Sequence, residues 1–210
     1  MGWDFRLIAG PYGGVTEGPA WDGSGLLFTH IPASRIMRYD PNTGISDVFR
    51  ENTNYANGTM FDSDGILYAC EGGARRVVRY DKDGGTTSLA EGYDGERLNI
   101  PNDLAIDLQG QIWFTDPYYE GAAGPWSEDR NNKDLSHDSV FKINLESKEI
   151  GSPDRMTFDT TRPNGLLFSL NHRTLYVAQS DRDLDKPRQL RAYPLNPDDT
   201  LGQFDVLHDF

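Results

Sequence analysis

The sequence predicts an all-β fold of the β-propeller type, with about four blades in this chain, and three observations lead there. A four-strand unit recurs along the chain. Its origin residues, Glu17, Asn57, Asn102 and Asn164, are spaced by 40, 45 and 62 residues, and no stretch carries a helical period. A four-stranded propeller blade takes roughly 40–50 residues, so the third interval reads as a blade with an insertion. Blades are expected near 15–50, 55–92, 100–160 and 162–210, within a single incomplete domain.

The unit is clearest around Asn102. A Pro-Asn-Asp corner leads into the alternating residues Leu104, Ile106 and Leu108, then a turn at Gly110 and a second strand, Ile112-Trp113-Phe114-Thr115. Period-2 alternation into a glycine turn is a hairpin signal. Eight residues after Glu17 and Asn57 stand Gly25 and Gly65, and the same step from Asn164 reaches His172 inside an Asn-His-Arg turn. Five residues after each origin stand Asp22, Asp62, Asp107 and Ser169. The other second strands are Leu26-Leu27-Phe28, Ile66-Leu67-Tyr68 and Leu175-Tyr176-Val177. Third strands follow at 35–39, 76–80, 139–143 and 189–193. Fourth strands are expected at Val48-Phe49, Ser88-Leu89, Met156-Thr157-Phe158 and Val206-Leu207. Residues 3–10, with Phe5-Arg6-Leu7-Ile8-Ala9 at their centre, resemble these outer strands. They are expected to be the outer strand of a further blade whose inner strands would lie beyond Phe210.

Composition narrows the function. The chain has 210 residues, 37% of them hydrophobic, enough for one substantial core. A formal charge of −13 argues against a nucleic-acid partner, which demands a basic face. No apolar run approaches membrane-spanning length, and the N-terminus has no signal-peptide pattern, so a cytoplasmic protein without a membrane partner is expected. A single cysteine, Cys70, fits a reducing compartment and reads as a buried small hydrophobe. Nucleophile-elbow, Walker and dinucleotide motifs are missing, and the four histidines lack zinc spacing.

What remains is the repeat position itself. In a propeller the innermost strands line the channel, so Glu17, Asn57, Asn102 and Asn164 should converge at one mouth. One carboxylate with several amide carbonyls is an oxygen-donor set suited to a hard divalent cation, Ca²⁺ or Mg²⁺. The plainer alternative is that these residues only shape the bend into each blade. Strand parity puts the loops between second and third strands at that same mouth. Two of them are long, Pro117 to Asp138 and Ser180 to Pro187, and should overhang it. Glu71, Arg75 and Arg76 sit at the same end and could contact a polar ligand. Tyr118, Tyr119, Trp126 and His137 belong to or adjoin the insertion, and His137 is a possible general base. Asp103 is expected to anchor its corner through backbone hydrogen bonds.

The motifs resemble a known family. Glu17-Gly18-Pro19-Ala20-Trp21, Ala56-Asn57-Gly58, Cys70-Glu71-Gly72-Gly73, Arg97 to Asp103 (RLNIPND), Trp113 to Pro117 (WFTDP) and Arg162-Pro163-Asn164-Gly165-Leu166 follow in order the pattern of gluconolactonase, senescence marker protein and luciferin-regenerating enzyme. The likeness is greatest to the gluconolactonase branch. It implies a six-bladed propeller with one divalent metal in the channel mouth, Ca²⁺ first, with Mg²⁺, Mn²⁺ or Zn²⁺ as alternatives. By the same likeness Glu17 and Asn164 match metal ligands, and Asn102 matches an amide beside the metal that also contacts substrate; Asn57 and Glu71 are expected to join it in orienting sugar hydroxyls. The family's acid/base is an aspartate in a Pro-Asp-Gly corner, expected beyond Phe210. The function implied is a metal-dependent lactone hydrolase acting on a small sugar lactone. The alternative is a non-catalytic calcium-binding or scaffold propeller, or an inactive truncated form.

Overall fold

In the computed structural model, which describes residues 2–145 and 152–210, the chain is all-β. Four antiparallel four-stranded sheets follow one another, each in simple meander order. Sheet one holds β1 (Thr16–Trp21), β2 (Leu26–His30), β3 (Arg35–Asp40) and β4 (Ile45–Glu51). Sheet two holds β5 (Ala56–Phe61), β6 (Leu67–Glu71), β7 (Arg76–Tyr80) and β8 (Thr86–Ala90). A two-residue hairpin, β9 (Gly92–Tyr93) and β10 (Glu96–Arg97), leads to sheet three: β11 (Leu104–Ile106), β12 (Ile112–Asp116), β13 (Ser139–Ile143) and β14 (Asp154–Arg155). Sheet four holds β15 (Pro163–Phe168), β16 (Thr174–Ser180), β17 (Arg188–Pro194) and β18 (Asp205–Asp209). Helix is limited to short 3₁₀ turns, and among the described residues no helix is long and apolar enough to cross a membrane.

Side-chain parity explains how the sheets stack. Along β6, Leu67 and Ala69 pack with Leu27 and Ile36 of sheet one, while Tyr68 and Cys70 pack with Ile112, Phe114 and Phe141 of sheet three. Along β12, Trp113 turns the other way, onto Leu166, Phe168 and Leu175 of sheet four. A strand covered on both faces is buried at every position, as β6 and β12 are, apolar but for Glu71, Thr115 and Asp116 at their ends. The flanking strands β2 and β16 alternate between buried and half-buried residues, as strands packed on one face do. The inner strands β1, β5, β11 and β15 consequently lie side by side, an arrangement consistent with a propeller-like fold.

The repeated aspartates build the hairpin turns. Asp22 accepts from the backbone N–H groups of Ser24 and Gly25 at 2.8 and 2.7 Å, Asp62 from Asp64 and Ile66 at 2.9 and 2.8 Å, and Asp107 from Gln109 and Gln111 at 3.0 and 2.9 Å. Ser169 does the same for Arg173 and Thr174 at 3.3 and 3.1 Å. A short oxygen-bearing side chain can bond its own backbone a few residues on, here two to five, which tightens the turn and sets the hairpin register.

Two expected elements differ. Residues 3–10 form no strand: Trp3, Phe5 and Leu7 are exposed, and Arg6 to Ala9 lie along a groove with Tyr12 and Phe28. Alternating apolar residues satisfy a strand only when a neighbouring edge supplies backbone partners, and no strand of the four sheets does so. The fourth strand of sheet three is Asp154–Arg155, two residues earlier than 156–158. Met156 still donates its N–H to the Val140 carbonyl at 2.8 Å, but Phe158 is exposed beneath the Arg155 guanidinium.

Candidate functional site

Glu17, Asn57, Asn102 and Asn164 line one cavity of about 280 Å³. Each comes from a different sheet, and a shared backbone irregularity aims them. In β1, β5 and β15 the register slips by one residue, between Glu17 and Ala20, Ala56 and Thr59, and Pro163 and Leu166. Such a bulge sets two residues against one on the partner strand and turns a side chain out of the sheet plane. The ring residues therefore occupy the second position of these strands rather than the position before them. Asn102 precedes β11 by two residues but is held alike: its N–H donates to the Thr115 carbonyl at 2.9 Å, and Thr115 N–H returns a bond to Asp103 at 3.0 Å.

Neighbouring sheets are stitched together at these bulges. Thr59 Oγ1 donates to the Gly18 carbonyl at 2.6 Å, Gly58 N–H to the Asn102 carbonyl at 2.6 Å, and Thr115 Oγ1 to the Asn164 carbonyl at 2.7 Å. The approach leaves no room for side chains. A Cβ on Gly18, whose φ is +52°, would lie 2.2 Å from the Asn57 carbonyl oxygen, and one on Gly58 would lie 2.5 Å from Asp103 Oδ1. Asp103 acts as the expected anchor, accepting from Leu104 N–H at 2.9 Å and, across the sheets, from Leu166 N–H at 3.3 Å.

The electrostatics follow from this crowding. Burial raises the Glu17 carboxyl above the ordinary range, although the residue keeps an exposed face. Asp103 is pushed up to about 6, first by burial and to a lesser degree by the nearby Glu17 charge, against the pull of its two backbone donors.

The long loops close over the ring. Tyr119, Gly121 and Ala122 of the insertion line the cavity, as does Arg182 from the 180–187 loop. Asn164 Nδ2 donates to Tyr119 Oη at 3.2 Å, and that hydroxyl is 2.6 Å from Ser180 Oγ. The insertion is tied down at its base. Asp138 pairs with Lys133 and accepts from Tyr118 N–H at 3.1 Å, while Asn99 Nδ2 donates to the carbonyls of Asp116 and His137 at 3.1 and 2.9 Å.

Several expected contacts lie elsewhere. Glu71 is not in the cavity: it is fully buried, and its carboxylate is spent on Asn54 Nδ2 at 2.9 Å, Tyr80 Oη at 2.9 Å and the Arg76 guanidinium at 2.7 Å. It is a structural tie, with no lone pair directed at a ligand. Arg75 likewise anchors the insertion, donating to the carbonyls of Leu98 and Asn132 and stacking on Trp126. His137 packs against Tyr93 and Phe141, where burial first, then Arg155 and Lys133, holds it down at about 4. Cys70 is buried, and burial raises its thiol well above the usual value, so it is inert.

Tyr55 and Arg182 line the cavity without having been singled out in the sequence. Tyr55 enters through a left-handed backbone at φ +57°, with its ring against Gly73 and Gly124. Arg182 sits in a loop without periodicity. A larger opening of about 500 Å³ lies along residues 183–189 beside Asp209 and Phe210, away from all four ring residues.

The chain and its fold are similar to those of known proteins. The family model described as "SMP-30/Gluconolactonase/LRE-like region" matches residues 15–210. A gluconolactonase of Zymomonas mobilis is 30% identical over 184 residues, covering 80% of this chain and 49% of that protein. The solved structure of a gluconolactonase from Xanthomonas campestris superposes with a TM-score of 0.77 at 32% identity, covering 91% of this chain and 61% of that one. A luciferin-regenerating enzyme at 16% identity shares the fold, with a TM-score of 0.66 over 92% of this chain and 60% of its own. The chain thus spans about half the length of the curated gluconolactonase it matches. With the repeated bulges, the converging ring and a family match over nearly all of its length, the chain belongs to the SMP-30/gluconolactonase/LRE-like family.

Proposed function

We propose that this chain carries the metal-binding and substrate-binding part of a lactone hydrolase acting on a small sugar lactone, within a six-bladed propeller. The observation that carries the reading is the convergence of Glu17, Asn102 and Asn164, from three different sheets, on one roofed cavity. The donor set fits a divalent cation, Ca²⁺ first: every ring residue offers an oxygen, and the only carboxylate among the described lining residues is one that burial destabilises. Glu17 and Asn164 would hold the ion. When bound, it supplies Lewis-acid polarisation of the ester carbonyl and stabilises the developing oxyanion.

The chain's own groups do the rest. Asn164 has Nδ2 engaged by Tyr119, which leaves Oδ1 as its free donor atom. Asn102 and Asn57 present amides that can both donate to and accept from sugar hydroxyls, orienting the lactone ring. Tyr119, Gly121 and Ala122 would flank a bound lactone on the side of the insertion. The carboxylate that takes the proton from the attacking water is assigned to the family's Pro-Asp-Gly corner, which these residues do not contain.

The test is titrimetric. Acid release from gluconolactone is followed with this chain and with the chain extended along its reading frame, after chelation and after adding back Ca²⁺, Mg²⁺, Mn²⁺ or Zn²⁺. The expected result is turnover in the extended chain that disappears with chelator, returns with one cation and is lost in Asn164→Ala. Cation binding without turnover in the extended chain would instead assign the protein to calcium binding or scaffolding.

A further inference from the structure

Two guanidinium groups flank the Tyr119 ring, and their charges are handled differently. Arg162 lies 5.8 Å from the ring centroid and is paired with the buried Asp181 carboxylate at 3.7 Å. Arg182 lies 6.0 Å from the same centroid, lines the cavity, and among the described residues has no carboxylate partner. Among the described residues lining this cavity Arg182 is the one cation, in a chain of net charge −13.

Its backbone is not loose. Arg188 donates from Nε to the Asp181 carbonyl at 2.7 Å and from Nη2 to the Arg182 carbonyl at 3.2 Å, and Asp183 N–H is capped by Asp181 Oδ1 at 3.2 Å. Three bonds thus hold the loop where Arg182 enters. Glu17 lines the same cavity and comes from a different sheet, so one ligand held there meets both groups.

We propose that Arg182 recognises an anionic substituent, and that the substrate is a sugar lactone bearing a phosphate or a carboxylate at the end of the molecule remote from the ester. The proposal rests on the lactonase reading above and adds to it the substrate's charge. A guanidinium offers paired N–H donors that match the oxygens of either group. The Tyr119 ring and the ring asparagines then set the distance between the anion and the ester carbonyl.

The experiment compares three lactones of equal ring size on the extended protein with its cation: neutral gluconolactone, its 6-phosphate, and the monolactone of the corresponding dicarboxylic acid. The wild type is expected to favour an anionic lactone in kcat/KM, and the better of the two identifies the group. In Arg182→Gln the ratio of anionic to neutral kcat/KM should fall about 10- to 100-fold, the span expected for one charge-assisted hydrogen-bonding contact. Arg182→Lys should restore part of that ratio, and the preference should weaken with salt. Equal rates on neutral and anionic lactones, or equal loss on both in Arg182→Gln, would overturn the proposal. Should no lactone be hydrolysed, the lactonase reading fails separately, and calorimetry decides the role of Arg182. Gluconate 6-phosphate should then bind more tightly than gluconate in the wild type but not in Arg182→Gln; equal affinities would refute it.

Discussion

Glu17→Gln should lower divalent-cation affinity about a hundredfold or more and remove most of its pH dependence. The size follows from losing a charged partner inside a partly enclosed site, an effect of roughly 3 kcal/mol or above. The sign of the pH dependence follows from the raised carboxyl. A Glu17 held above the usual range keeps its proton to higher pH, and a cation must displace that proton. Affinity in the wild type should therefore rise with pH through the Glu17 titration and level off above it, and fall as the solution is made acidic. Asp103, raised to about 6 partly by Glu17, should contribute a smaller step in the same direction, because a cation beside Glu17 favours its charged form too. In Glu17→Gln only that smaller step should survive. Calorimetric titrations across pH 5 to 8 check both points. An unchanged affinity in the variant would remove Glu17 from the site.

Trp113→Ala should be the most destabilising single change in the described core, by about 3–5 kcal/mol. The indole is fully buried where sheets three and four meet, edge-on to Phe168 with ring centroids 5.5 Å apart. Its Nε1 donates to Asp107 Oδ2 at 2.9 Å, and Asp107 organises the turn between β11 and β12. The substitution therefore opens a cavity and also removes a partner from a buried carboxylate. Trp113→Phe keeps most of the volume and should lose about 1–2 kcal/mol, mainly the hydrogen bond. Urea unfolding midpoints at constant slope measure both, and a Trp113→Ala midpoint within error of the wild type would contradict the packing described.

Much of this architecture was legible because the repeat is written at short range. The turn aspartates Asp22, Asp62 and Asp107 bond their own backbone within four residues, so their recurrence revealed the hairpins. The apolar and aromatic runs at residues 67–70 and 112–114 marked second strands, though not that both their faces are covered. The ring residues were visible as one repeat position, but the bulges that aim them were not, since a one-residue slip depends on the facing strand. Glu71 looked like a site residue because strand parity puts it at the ring end; only the β6–β7 register, which sets it opposite Arg76 and within reach of Tyr80, shows that its charge is consumed. Residues 3–10 have a strand's alternation without a strand's partner. For Arg182 the sequence showed only that its loop overhangs the mouth; its place on the cavity wall is set by carbonyl bonds from Arg188 that no local signal encodes.

The most direct measurement is anomalous scattering from crystals of the extended protein soaked in Mn²⁺. The account predicts one dominant peak inside the cavity, about 2.0–2.6 Å from a Glu17 carboxylate oxygen and from Asn164 Oδ1. Lactone turnover by a protein whose crystals show no peak at that position, or show one only outside the ring, would contradict it.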